Sequence, residues 1–225
     1  MRHFEQELEQ LKAKLLEMSA LVERAVYLSV QGVVEKNAEL AEQVLKNEAR
    51  VNQLEIEIDD MAIGLLALQH PLAADLRLIT AAIKINNDLE RMGDLSVSIA
   101  QAAQVLVKEP VIRPSIDIPY IAGLAQGMVR KALDAFVQRD PELARSVLAS
   151  DDAVDNLRTA SYHELISFME KNPQQVSQAL YLLTVVRNLE RIADHATNIA
   201  EDVLYLVKGV DVRHHNEQRA AVVQS

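Results

Sequence analysis

The sequence predicts an all-α protein, built as two pseudo-symmetric antiparallel three-helix bundles, six long helices in all, by internal duplication. Three observations predict it. Gly and Pro number only six each in 225 residues, too few to punctuate a many-stranded sandwich or barrel. Aromatic residues make up 4% and Trp is absent, whereas strands favour aromatic side chains. Apolar residues instead recur at steps of three and four over long stretches, the period of a helix face.

The first helix carries Leu11, Leu15, Met18, Val22, Ala25, Ser29 and Gly32 on one seam, and Asn37 breaks the pattern. The second carries Val51, Leu54, Ile58, Met61, Leu65 and Leu68 as far as His70-Pro71, where proline cannot continue a helix but can open the next. The third runs from about Leu72 to Val107. Then comes KEPVIRPSIDIP, which holds three of the six prolines and reads as a linker over 109–118. A fourth helix is expected over Pro119–Gln138. Asp140-Pro141 is an N-cap followed by proline at the first helical position. The fifth helix is expected to continue unbroken to about Lys171, where Asn172-Pro173 repeats the cap-and-proline signal. The sixth extends to about Lys208, with Gly209 suited to a C-cap. The chain therefore divides into a first repeat (1–108), the linker, a second repeat (119–209) and a polar, flexible tail (210–225) carrying His214-His215.

The duplication is written in the residues. Val34-Glu-Lys-Asn-Ala-Glu-Leu40 matches Val137-Gln-Arg-Asp-Pro-Glu-Leu143, and Leu89-Glu-Arg-Met-Gly-Asp94 matches Leu189-Glu-Arg-Ile-Ala-Asp194. These segments lie far apart within each half, so the match spans a whole three-helix unit.

Composition narrows the function. The formal net charge is −10, which repels phosphate backbones and argues against a nucleic-acid partner. Without cysteine there are neither disulfides nor thiolate metal sites. The N-terminus is charged from its second residue, unlike a signal peptide. The longest uncharged stretches, Met61–Ala74 and Asn172–Val186, each contain a proline and are too short for a membrane span. A cytoplasmic protein is expected.

The duplicated LERxxD carries the chemistry. Glu90 and Asp94, and likewise Glu190 and Asp194, are spaced i, i+4, so each pair projects from one helical face. By itself such a stripe is ordinary solvated surface. Two observations favour more. The same face is apolar upstream, at Leu183 and Val186 and at Leu76, Ile79 and Ile83. In addition, a turn near Lys171-Asn172 sets Asp151 and Asp155, another i, i+4 pair, level with Glu190 and Asp194, with Asn198 and Glu201 nearby. The turn near His70-Pro71 sets Glu48 and Asn52 level with Asp94 and Glu90. Converging carboxylates repel unless a proton or cation compensates. Oxygen ligands without thiolates favour Mg, Ca, Mn or Fe. The candidate metal ligands are thus Glu90, Asp94, Glu190, Asp194, Asp151, Asp155, Glu48 and Asn198. His195 is a further candidate at the edge of the second site. Arg77, Arg91, Arg187 and Arg191 are expected to pair with carboxylates or to help hold an anion. No histidine follows a glutamate by three, so the di-iron oxidase pattern is absent. Gly-rich phosphate loops, GxSxG and HExxH are absent too.

With its six-helix order, the segment AADLRLI (Ala73–Ile79) and the paired signatures NDLERMGDLSVSIA (Asn87–Ala100) and RNLERIADHATNIAED (Arg187–Asp202), the chain resembles the PhoU family over about residues 4–208. The resemblance implies accessory regulators of phosphate uptake that are not enzymes, often dimeric, whose E(D)xxxD motifs ligate multinuclear iron or zinc clusters. By match that role falls to Glu90, Asp94, Glu190 and Asp194, with Asp151 and Asp155. It implies two partners, the ATPase of the phosphate ABC transporter and a phosphate-sensing histidine kinase, restrained when phosphate is plentiful. The first half departs from the second: Ser98 and Gln101 stand where it has Asn198 and Glu201, and Asn52 stands opposite Asp155. Two rival readings remain at this point, a carboxylate-bridged metalloenzyme and a purely structural helical interaction module.

Overall fold

The computed structural model describes residues 2–69 and 71–209. His70 of the expected second turn and the tail with His214-His215 lie outside the described residues. Helices α1 (Arg2–Val34), α2 (Ala38–Gln69) and α3 (Ala73–Leu106) form the first bundle. Helices α4 (Ile118–Gln138), α5 (Pro141–Leu148), α6 (Asp151–Lys171) and α7 (Val176–Lys208) form the second, with a single 3-10 turn at Pro173–Gln175. The described residues contain no strand.

The duplicated turn is the same physical device twice. Lys36 and Arg139 both take a left-handed backbone (φ 51° and 53°), which stops a helix because the next residue can no longer extend the i→i−4 ladder. Asn37 then accepts from the amides of Glu39 (3.0 Å) and Leu40 (3.4 Å). Asp140 accepts from those of Glu142 (2.8 Å) and Leu143 (3.1 Å). Each side chain satisfies donors that the first turn would leave orphaned. Gly209, with φ +67° and its N–H on the Tyr205 carbonyl, ends α7 as its position predicts.

Two expectations are corrected. The fifth helix does not run unbroken from Pro141 to Lys171; it is interrupted at Ala149-Ser150. There the Ser150 amide bonds the Val147 carbonyl and Ser150 Oγ donates to the Ser146 carbonyl. A tight i→i−3 turn and a hydroxyl thus replace regular ladder bonds, the behaviour of a serine that competes with its helix. Asn172 does not cap the following helix. Its side-chain amide donates to the Phe168 carbonyl (2.9 Å) and closes α6 instead.

The seam residues of α1 are buried as their spacing requires, among them Leu11, Leu15, Met18 and Val22, and they share one apolar core with Leu54, Ile58, Leu89 and Met92 of α2 and α3. Ile121, Met128, Leu165, Leu189 and Ile192 fill the second bundle. Each such side chain contributes about 1.5–3 kcal/mol relative to exposure. One apolar cluster runs through both bundles.

Helices α3 and α7 join the halves and run antiparallel. Lys84 Nζ reaches Asp202 (2.7 Å) at one end, and Asn188 Nδ2 donates to Ser98 Oγ (2.8 Å) at the other. The pairings centre on Gly93 and Ala193, equivalent residues of the two repeats, so the pseudo-two-fold passes between them. Gly93 also faces α2 closely: a Cβ there would stand 3.3 Å from Val51 Cγ1. The linker is not a free tether. Gln178 donates to the Glu109 carboxylate (3.2 Å), and the Ser115 amide donates to Glu164 (3.2 Å).

Candidate metal centre

The break between α5 and α6 has a consequence for the second repeat. It places Asp151 and Asp152 in the first turn of α6, where unsatisfied amides and the helix dipole favour carboxylates. Glu190 and Asp194 approach from α7. Asp194 is pushed up from the ordinary aspartate value to about 6, by burial first and then by the charges of Glu190, Asp151 and Asp155, while His195 pulls it down. Asp151 is raised by burial and by Asp155, Asp152 and Glu190. The four carboxylates expected to converge in this repeat therefore lie within one another's field. Glu190 also meets Arg158 Nε at 3.3 Å. The outer edge of Asp194 is exposed, so solvent screens part of the repulsion.

The first repeat is a looser version. Glu90 is raised by burial and then by Asp94 and Glu55, with Arg91 (3.5 Å) opposing. Glu48 and Asn52 line a narrow crevice with Val51, Gly93 and Val97, beside the residue that precedes Asp94. The carboxylate of α2 that Glu90 feels is Glu55, one helical turn beyond Asn52, which the sequence reading did not select. Its signal was present, because Glu55 and Asp59 are themselves an i, i+4 acidic pair on that helix.

Asn198 is placed differently from expectation. Its amide donates to Asp88 Oδ1 (3.2 Å) across the α3–α7 seam. His195 uses Nδ1 on the same oxygen at 2.8 Å, so that nitrogen is engaged with α3. Among the arginines, Arg91 pairs with Glu90, whereas Arg77 Nε is buried without a hydrogen-bond partner. Arg158, which was not singled out, is the residue that meets Glu190.

Among the described residues, no three His, Asp or Glu side chains stand close enough to hold an ion ready-made. What the geometry supplies is an all-oxygen donor set under mutual repulsion. Such a set fits a hard cation, because the charge that raises Asp194 and Asp151 is the charge a cation would offset. No helix among the described residues is long and apolar enough to cross a membrane.

Comparison with known proteins agrees with this architecture. The PhoU domain family model matches residues 15–103 and again 118–203. A phosphate-specific transport system accessory protein PhoU homolog from Pseudomonas putida is 40% identical, over 97% of this chain and 86% of its own length. Its counterpart from Aquifex aeolicus is 37% identical, over 93% of this chain and 95% of its own. The crystal structure of PhoU from Pseudomonas aeruginosa superposes with a TM-score of 0.90 at 39% identity, covering 92% of this chain and all of that one. The phosphate transport system regulatory protein PhoU from Streptococcus pneumoniae gives 0.85 at 28% identity, covering 93% of this chain and 99% of that one. These relatives are named as accessory or regulatory proteins rather than enzymes. With both repeats matched and identity of this order over nearly the whole chain, the chain belongs to the PhoU family of phosphate-transport accessory proteins.

Proposed function

We propose that this protein is a cytoplasmic, metal-binding adapter that couples a phosphate ABC transporter to a phosphate-sensing histidine kinase and restrains both when phosphate is plentiful. The observation that carries the reading is the duplicated Glu-x-x-x-Asp stripe on α3 and α7, reinforced by the mutual electrostatics of Glu190, Asp194, Asp151 and Asp155. Glu90 and Asp94 would serve the first repeat, with Glu48 alongside. Bound iron or zinc would supply positive charge at these faces. The chain's own residues do the rest: they hold the carboxylates on rigid helices and set the two faces in fixed relation through the α3–α7 seam. A long antiparallel seam transmits position well, because packed helices have few intermediate arrangements. A homodimer would present both faces twice.

The decisive experiment is capture of the transporter ATPase and of the sensor kinase by wild type and by Glu190→Ala/Asp194→Ala, in high and low phosphate, with the metal content of each preparation measured. Wild type should retain both partners and the variant should lose metal together with at least one partner. Absence of either partner at both phosphate levels would overturn the adapter reading. Equal capture by a metal-free variant would instead leave the adapter and remove the role of the metal.

A further inference from the structure

Helices α2 and α6 carry a charge at one matching position, and the two repeats hold opposite signs there. The duplication pairs Val34 with Val137 and, at the same spacing, the buried Val51 with Val154 and Glu55 with Arg158. Each of these charged residues acts on the stripe glutamate of its own repeat. Glu90 is raised by burial and then by Asp94 and Glu55, so Glu55 adds to the repulsion. Arg158 Nε lies 3.3 Å from Glu190 Oε1 and offsets it. Arg91 and Arg191 stand at matching positions of α3 and α7, so they do not make this difference.

An ion pair alone would be ordinary surface electrostatics. Two observations give this one a direction. The Glu190 side chain is 14% exposed, whereas that of Arg158 is 45% exposed. The carboxylate is held while the guanidinium stands half in water, so the contact is cheap to break. Arg158 also lines a groove of about 490 Å³ between α6 and α7, together with Tyr162, Leu183, Val186 and Arg187. That space lets the guanidinium turn away from the carboxylates without disturbing the core. Its aliphatic stem can stay on the apolar wall while the charged head moves.

We infer that Arg158 is a tethered counter-ion of the second-repeat stripe, a positioning residue that holds Glu190 in the metal-free protein and withdraws into the α6–α7 groove when a cation is bound. The inference rests on the proposed reading of the stripe as a cation site. A guanidinium and a metal ion compete for the same carboxylate oxygen and repel each other, so one excludes the other. Until it is displaced, Arg158 offsets part of the repulsion among the four carboxylates. In the first repeat α2 supplies Glu55 at that position, and an arriving cation displaces nothing there. The two stripes share the Glu-x-x-x-Asp spacing yet are unequal sites, and the residue that sets them apart lies on the neighbouring helix.

The test is calorimetric titration of the full-length protein, stripped by a chelator and dialysed, with ZnCl2 at constant ionic strength. Wild type is measured first, then a parent variant, Glu90→Ala/Asp94→Ala, in which only the second repeat is read. Added to that parent, Arg158→Met keeps the stem and removes the charge, and should tighten Zn2+ binding about threefold or more. Arg158→Lys returns the charge and should restore the parent affinity, which loss of a merely structural contact would not do. In wild type, Zn2+ should also move the arginine Nε–Hε nuclear magnetic resonance signal that is missing from Arg158→Met. No Zn2+ binding by wild type would overturn the cation reading of the stripe and this inference together. Where wild type binds, three results would overturn the inference alone: no binding by the parent, an unchanged or weaker affinity in Arg158→Met, or an Arg158 signal unmoved by Zn2+.

Discussion

Replacing Asp194 by Asn removes one charge from a repelling group of four while keeping its size. Asp194 titrates near 6 in the folded protein, raised by burial and then by Glu190, Asp151 and Asp155. The unfolded chain should return it to about 4. The folded state therefore holds the proton more tightly, and stability falls as pH rises through this window. The cost is absent below about 4 and fully expressed above about 6. A displacement of about 2 in pKa corresponds to about 3 kcal/mol for a group cut off from water. Asp194 is exposed at its edge, and screening reduces this to about 1 kcal/mol. In chelator at pH 7.5, Asp194→Asn should thus raise stability by about 1 kcal/mol, or Tm by about 2–4 °C for a chain of this length. At pH 4 the gain should vanish. The measurement is a thermal melt followed by circular dichroism at the two pH values, with wild type alongside. With iron or zinc added at pH 7.5 the order should invert, because the charge that destabilises the free protein is the charge that would bind the ion. A variant less stable than wild type in chelator, or a gain of equal size at both pH values, would refute the reasoning.

Asp151→Ala/Asp155→Ala should lower the iron or zinc content of protein purified without chelator, measured by elemental analysis, while the far-ultraviolet spectrum stays helical. Asp140→Ala deprives two amides of their acceptor and should cost about 1 kcal/mol in urea denaturation. Met92→Ala opens a cavity at a fully buried position of α3 and should cost about 2–5 kcal/mol by the same assay. Arg139→Gly relieves a left-handed backbone and should recover about 1 kcal/mol.

The sequence carried the helical content, the duplication and most of the boundaries, because these depend on short-range physics. Periodicity over one seam predicted which α1 residues are buried. Asp140 and Gly209 announced their caps and Asn37 the break in the helix, since such signals involve only their own turn; that Asn37 also caps the next helix came from the structure. The interruption at Ala149-Ser150 was harder to read: neither Gly nor Pro marks it, and it rests on local hydrogen bonds of Ser150 that the pattern of apolar residues does not encode. Asn172 carried an ambiguous signal, because an amide side chain can serve the end of one helix as readily as the start of the next.

For the candidate site, spacing along one helix determined which carboxylates share a face, and hairpin register brought Asp151 and Asp155 to Glu190 and Asp194. Only tertiary structure decided the rest. It turned Asn198 and His195 toward Asp88, set Glu55 against Glu90, and made α3 and α7 antiparallel neighbours. Those outcomes depend on how far each helix is rotated about its own axis when remote side chains interlock. A rotation of a few tens of degrees leaves the sequence period unchanged yet moves a carboxylate from one neighbour to another.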